Sequence, residues 1–168
     1  MNNLCQANIE ALNQLVDLIN KSKTIYKTKT DATASIGEHC RHILDHYRAV
    51  QKGLENCCID YNLRTRNSAE ETQFESALDN IEQISAWLNN LQQSDYSDVA
   101  VISEICLDQE QSETLSSNLD RELLYLLNHS IHHLAYASLS ARNLGIELPK
   151  HIGLAPGTAT YLRHKEAS

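Results

Sequence analysis

Apolar residues recur every three to four positions over four long stretches of the chain, which is the spacing of one face of an α-helix. The first stretch predicts a helix over about residues 3–22, and the second predicts one from about Ala32 to Cys57. A third helix is predicted over about Ser68 to Gln92, since Ser68 and Glu71 match a capping box. The fourth is predicted to begin near Ser117-Asn118 and to end at Gly145, the residue that follows its last turn.

The connections between these helices differ in length and composition. The segment after the second helix, CCIDYNLRTRN, is long enough to cross the end of a bundle. Residues 97–115 contain a β-branched run and the turn-like QEQSET, which predicts a short hairpin or irregular arm before the fourth helix. A last short helix is predicted from about Ala155. The pattern as a whole predicts an all-α protein, with four long helices in a bundle.

Composition narrows the class of protein. The 168 residues fit a single domain, 1–168, and the net charge of −8 disfavours nucleic acid as a partner. No apolar run approaches the roughly 18 residues needed to span a bilayer, and the first residues do not resemble a secretory signal. We therefore predict a cytoplasmic protein without a membrane partner. The five cysteines form no CxxC pair, which disfavours both a disulfide framework and a thiolate zinc site.

Histidines are concentrated in two of the predicted helices. His39, His42 and His46 lie on one flank of the second helix, beside an apolar stripe that includes Cys40, which we interpret as a core residue. In the fourth helix, His129 and His133 are spaced i,i+4, so their rings can converge on one ion. A third ligand would come from the second helix, and geometry alone does not choose among its three histidines.

For the remaining histidines, and for the polar residues near the histidine clusters, the sequence does not predict metal binding. His132 points about 100° away from His133, toward solvent, and His151 and His164 lie in the tail. Tyr136 is expected to be a core-edge residue, whereas Glu38 and Asp45 are expected to be solvated. Arg64, Arg66 and Asp60 are candidates for anchoring an anionic substrate, although such arginines are more often solvated.

The order IGEHCRHILDHY and then NHSIHH resembles the DinB/YfiT-like superfamily of metal-dependent helical proteins. The segments DYNLRTR, DREL and LGIELPKHIGLAPGTATYL extend this resemblance over most of the chain. The resemblance assigns the third ligand to His42, within His42-Ile43-Leu44-Asp45, and hence a metal site of His42, His129 and His133. It also implies an up-down-down-up four-helix bundle with a long crossover between the second and third helices, and a homodimer.

The resemblance leaves the reaction open, because members include thiol-transferring enzymes and proteins without known activity. We expect a divalent transition metal, zinc, nickel or similar, that activates a low-molecular-weight thiol or water toward a small-molecule substrate. A metal-dependent hydrolase is the second enzymatic interpretation. The alternative from another class is a metal-binding or purely structural dimeric interaction module. No catalytic residue is identified.

Overall fold

The computed structural model describes residues 3–30, 33–91 and 98–167. Within these ranges the helices are α1 (Asn3–Lys21), α2 (Ile36–Gly53), α3 (Phe74–Asn90), α4 (Leu119–Asn143) and α5 (Pro156–Glu166). The strands are β1 (Cys58–Asp60), β2 (Val99–Glu104) and β3 (Ser112–Ser117). Short 3-10 turns lie at Lys23–Ile25 and Ala69–Glu71.

The four long helices pack around one core, in which α1 contacts α3 and α4 and α2 contacts the same two helices. Their apolar stripes supply the fully buried side chains, and burial of each Leu or Ile contributes about 1.5–3 kcal/mol. The largest fully buried side chains include Tyr47, Leu12, Leu15, Leu18, Ile19, Ile36, Ile43, Leu44, Leu88 and Leu123. No helix in the described ranges is long and apolar enough to cross a bilayer.

The prediction of an all-α, up-down-down-up four-helix bundle is wrong, because three strands form a mixed sheet in the order β1-β2-β3. The segment predicted as a hairpin or irregular arm forms β2 and β3, which pair antiparallel with Val99 opposite Ser117. β2 also pairs in parallel with β1, Ile59 lying opposite Val101. The crossover between α2 and α3 therefore carries a strand, and the sheet joins it to the segment before α4.

Several helix boundaries also differ from prediction. α2 begins after Ser35, whose side chain forms a capping box with Glu38, and it ends at Gly53 rather than Cys57. Ser68 makes no capping hydrogen bond, and α3 begins only at Phe74. The predicted start at Ala32, the predicted end at Gln92 and the predicted arm start at residue 97 lie outside the described residues.

The C-terminus of α4 agrees with the sequence. Gly145 has a φ of 85°, the left-handed conformation that glycine adopts without a Cβ clash. The N–H of Gly145 donates to the carbonyl of Arg142, and that of Ile146 donates to the carbonyl of Ala141. These two bonds form a Schellman motif, which ends the helix that carries His129 and His133.

Candidate metal centre

Three histidines from two helices converge between α2 and α4. One ring nitrogen each from His42, His129 and His133 can be chosen such that all three lie within 4.8 Å of one another. The ring centroids are 4.9 Å apart for His42 and His129, 4.4 Å for His42 and His133, and 4.5 Å for His129 and His133. All three side chains are half-buried. The structure thus brings together the i,i+4 pair and the third histidine that the family resemblance implied.

A buried polar network sets the register of the two helices beneath this cluster. The hydroxyl of Tyr47, which follows His46, donates to Asn8 at 2.7 Å and accepts from Ser130, which follows His129, at 3.3 Å. The amide of Asn8 donates in turn to the carbonyl of Leu123 in α4 at 2.9 Å. Because each of these groups is buried, a change in helix register would leave polar atoms unpaired. Sequence periodicity alone did not indicate this network.

The two other histidines of α2 lie beside the cluster. His46 is buried, and its ring stacks on His129 with a centroid distance of 3.9 Å. Its Nδ1 lies 2.9 Å from the carbonyl oxygen of His42, so Nδ1–H donates and Nε2 is left as the acceptor of the ring. The Nδ1 of His39 lies 3.1 Å from the Nδ1 of His133. Neither His39 nor His46 belongs to the convergent group of three.

His132 is exposed, as its position on the helix predicts. Its ring packs against the edge of Tyr136 at 4.9 Å, outside the convergent group. Tyr136 is itself 52% exposed, so its interpretation as a core-edge residue is wrong. It stacks on His39 instead, with a centroid distance of 6.5 Å. Residues 132 and 136 therefore lie on the solvent side of the cluster.

The environment keeps the three convergent imidazoles neutral. Burial is the largest cause, followed by the charges of neighbouring histidines, and together they lower the pKa of His42 to about 3 and that of His133 to about 4. The same causes lower the pKa of His129 to about 2. The Nε2 of His129 is buried and has no hydrogen-bond partner among the residues that the structure describes. Neutral imidazoles offer lone pairs to a metal ion, and an unpaired buried nitrogen is the atom that such an ion would satisfy.

Two tyrosines form an aromatic wall on one side of the cluster. Tyr61 stacks on His46 at 5.3 Å, Tyr125 stacks on His129 at 5.6 Å, and the two tyrosines contact each other at 5.1 Å. The hydroxyl of Tyr61 donates to the buried carboxylate of Glu122 at 2.6 Å. A cavity of about 220 Å³ borders this wall. The sequence analysis did not identify Tyr61, because this residue lies in the crossover between α2 and α3. Its position beside the helices depends on β1, which directly precedes it.

Asp45 is buried at 4% exposure, so the prediction that it is solvated is wrong. Its carboxylate accepts hydrogen bonds from Arg41 at 3.3 Å, from Arg48 at 3.4 Å and from the backbone N–H of Thr65 at 3.1 Å. Through the bond to Thr65 it ties the crossover to α2. Glu38 is partly buried and caps α2, which also corrects its solvated interpretation.

The other residues that the sequence analysis considered lie outside the histidine cluster. Cys40 is fully buried in the core, as predicted. Asp60 and Arg64 line a second cavity next to α2. Arg66 is exposed, as are His151 and His164 in the tail.

Comparison with known proteins adds a family and one distant relative. The family model described as DinB family matches residues 1–159. A segment of 107 residues, 62% of this chain, is 28% identical to FK506-binding protein 5 of Rhizopus delemar. The chain spans 28% of the length of that protein. No solved structure matches the chain.

Proposed function

This chain belongs to the DinB family, and we propose that it binds one divalent transition-metal ion through His42, His129 and His133. The observation that carries the proposal is the convergence of their three ring nitrogens within 4.8 Å. Two nitrogens bound to one tetrahedral zinc ion at about 2.1 Å lie about 3.4 Å apart. Closing the group on an ion therefore requires ring movements on the order of an ångström, within reach of small changes in χ angles.

The chemistry of the donors supports this assignment. Neutral imidazole suits zinc, nickel and related first-row ions, so the donor set accepts several metals, and availability decides among them. The low pKa values of the three histidines keep protons from competing for the lone pairs at neutral pH. The unpaired Nε2 of His129 gains a partner when an ion is bound.

The number of protein ligands favours a catalytic metal site over a purely structural one. Among the described residues, the convergent group comprises three histidines without a cysteine or carboxylate, and each of the three is part-exposed. Structural zinc sites usually close with four protein ligands, whereas catalytic ones keep three and leave a position for water or substrate. A metal bound here would retain such a position.

We therefore propose a metal-dependent enzyme that activates a low-molecular-weight thiol or water. When bound, a divalent ion lowers the pKa of a thiol or water at its open position, which makes a nucleophile available at neutral pH. The side chains around the histidine cluster would orient the substrate and keep bulk water from one side of the centre. Tyr61 and Tyr125 cover one side of the cluster, and His46 places its acceptor Nε2 in the same ring stack.

Elemental analysis of untagged protein, purified without chelating resin, tests the metal proposal. We expect about one equivalent of a divalent transition metal per chain, because the three ligands form one site. The matched control is His129→Ala, which should carry far less metal under the same purification. Protein that neither carries metal nor takes it up at neutral pH would contradict the proposal.

The reaction is tested separately on metal-loaded protein. Glutathione and other low-molecular-weight thiols are combined with small electrophiles, and ester hydrolysis is measured in parallel. Turnover that disappears in His129→Ala supports catalysis at this centre. Full metal occupancy without turnover in either assay would favour a metal-binding module without catalysis.

A further inference from the structure

A cavity of about 540 Å³ lies between the second half of α2, β1 and the segment that follows β1. Small-molecule sites typically enclose about 300–1,000 Å³, so this volume suits a small ligand. Its charged lining residues are Asp45, Arg48, Lys52, Asp60 and Arg64. Within the described part of the chain, the lining includes none of the three convergent histidines. The cavity is therefore separate from the candidate metal centre.

Several charged residues of the cavity lining are already paired. Arg48 forms ion pairs with Asp45, at 3.4 Å, and with Glu70. Asp45 is also paired with Arg41 at 3.3 Å and accepts the N–H of Thr65. Because these charged groups neutralise one another, they offer little net charge to a ligand.

Two other lining residues differ, because Lys52 and Arg64 have no carboxylate within 4.0 Å among the described residues. Both residues are exposed. The remaining charged residue of the lining is Asp60, whose Oδ1 accepts the backbone N–H of Asn62 at 2.9 Å. In the described part of the chain, the lining thus holds two cations without an ion-pair partner and one such carboxylate, and this balance favours an anionic ligand.

The chain segment that carries Arg64 is fixed against α2. The backbone N–H of Thr65, the next residue, donates to Oδ2 of Asp45 at 3.1 Å. Because Asp45 is buried, this hydrogen bond holds the segment beside the cavity.

We infer that this cavity binds a small organic carboxylate, held by the guanidinium of Arg64 and the ammonium group of Lys52. The planar fork of guanidinium matches the two oxygens of a carboxylate, and ammonium adds a second charge. Carboxylate binding in this cavity does not require the metal, so the inference goes beyond the proposed function and does not depend on it.

Metal-free protein, prepared with a chelator, tests the inference without interference from the metal centre. Succinate is titrated against ¹⁵N-labelled protein, with the neutral diamide of succinic acid as the matched probe. We expect succinate to shift the amide signals of Cys58, Thr65 and Ile102, which line the cavity, and the diamide to leave them unchanged. Arg64→Gln should weaken succinate binding about tenfold, the effect of losing a charge-assisted hydrogen-bond pair.

Two further variants keep the inference falsifiable. Lys52→Gln should weaken binding by less than Arg64→Gln, since ammonium lacks the fork geometry. Arg66→Gln is the control, because Arg66 is an exposed arginine of the same segment outside the cavity lining. Each of these side chains is exposed, so unchanged melting temperatures are expected in all three variants.

Equal weakening by Arg66→Gln and Arg64→Gln would overturn the inference, since it would indicate a general charge effect. Failure of succinate to shift the cavity amides, or equal binding of the diamide, would overturn it as well. Neither result affects the metal proposal, because the protein in this experiment contains no metal. Conversely, a chain that takes up no metal can still bind succinate, and the two failures are therefore distinguishable.

Discussion

At the scale of single residues, neighbouring histidines have distinct roles that depend on their angle around the helix. His129 and His133 face α2, whereas His132 is exposed beside Tyr136. We expect His42→Ala, His129→Ala and His133→Ala each to abolish tight metal binding, because each removes one of the three ligands of the convergent group. His132→Ala should retain affinity within a few-fold. Calorimetric titration of metal into the four variants measures this, and lost binding in His132→Ala would contradict the assignment.

His39 is predicted to position a ligand. Its Nδ1 lies 3.1 Å from the Nδ1 of His133, and a hydrogen bond donated by His133 Nδ1–H to His39 Nδ1 would leave the Nε2 lone pair of His133 for a metal. Loss of such a partner typically costs 10–100-fold in metal affinity, and we expect a loss of about that size in His39→Ala. His39→Gln, which retains a hydrogen-bonding side chain, should recover most of the affinity in the same titration.

The variants of His39 and His46 also test the choice of third ligand. Complete loss of binding in His39→Ala or His46→Ala, with retention in His42→Ala, would show that the family resemblance selected the wrong turn of α2. That result would leave the metal site between α2 and α4 in place and would change only the identity of its third ligand.

At the scale of elements, the approach of β1 to α2 depends on Gly53. A Cβ at this position would lie 2.6 Å from the Cα of Ile59 and 2.8 Å from the carbonyl oxygen of Cys58. Alanine normally favours a helix by about 1 kcal/mol over glycine, but overpacking costs about 1–3 kcal/mol. We expect Gly53→Ala to lower the free energy of unfolding by up to about 2 kcal/mol, measured by urea denaturation.

Gly157 in α5 is the matched control, since a Cβ there meets no atom within 4 Å. Gly157→Ala should be neutral or stabilising by up to about 1 kcal/mol. If both variants behaved alike, the close approach of β1 would not limit stability. The comparison separates backbone propensity from packing, because the substitution is the same in both helices.

At the scale of the whole molecule, the buried histidines make the stability of the metal-free protein depend on pH. Their pKa values of about 3, 2 and 4 in the folded chain lie below the value of about 6.5 for an unfolded chain. Below pH 6.5 the unfolded chain therefore binds more protons, and the free energy of unfolding falls as the pH falls. The stability from these groups is present above pH 6.5 and is lost toward pH 4.

Because these side chains are half-exposed, the loss is discounted to on the order of 1 kcal/mol per pH unit near pH 6. Thermal melts of chelated protein at pH 7, 6 and 5 measure it. A variant with Gln at residues 42, 129 and 133 should show a flatter dependence. An equally steep dependence in that variant would assign the effect to other groups.

Local sequence patterns predicted the elements that carry the site. The 3.6-residue periodicity predicted α1, α2 and α4, and the i,i+4 spacing of His129 and His133 predicted their common face. Gly145 predicted the end of α4, because a left-handed residue after a helix favours glycine. Each of these features depends on residues within a turn or two of each other, and the chain specifies them without distant contacts.

Only the tertiary structure decided the features that depend on distant partners. The strand β1 is three residues long and has little pattern of its own, and it exists because β2 pairs with it. Asp45 appeared solvated on its helical wheel, but the crossover covers it with Thr65. Tyr61 reaches the histidines by the same route. A helical pattern shows which face is buried, whereas the partner of that face is set by packing across the whole chain.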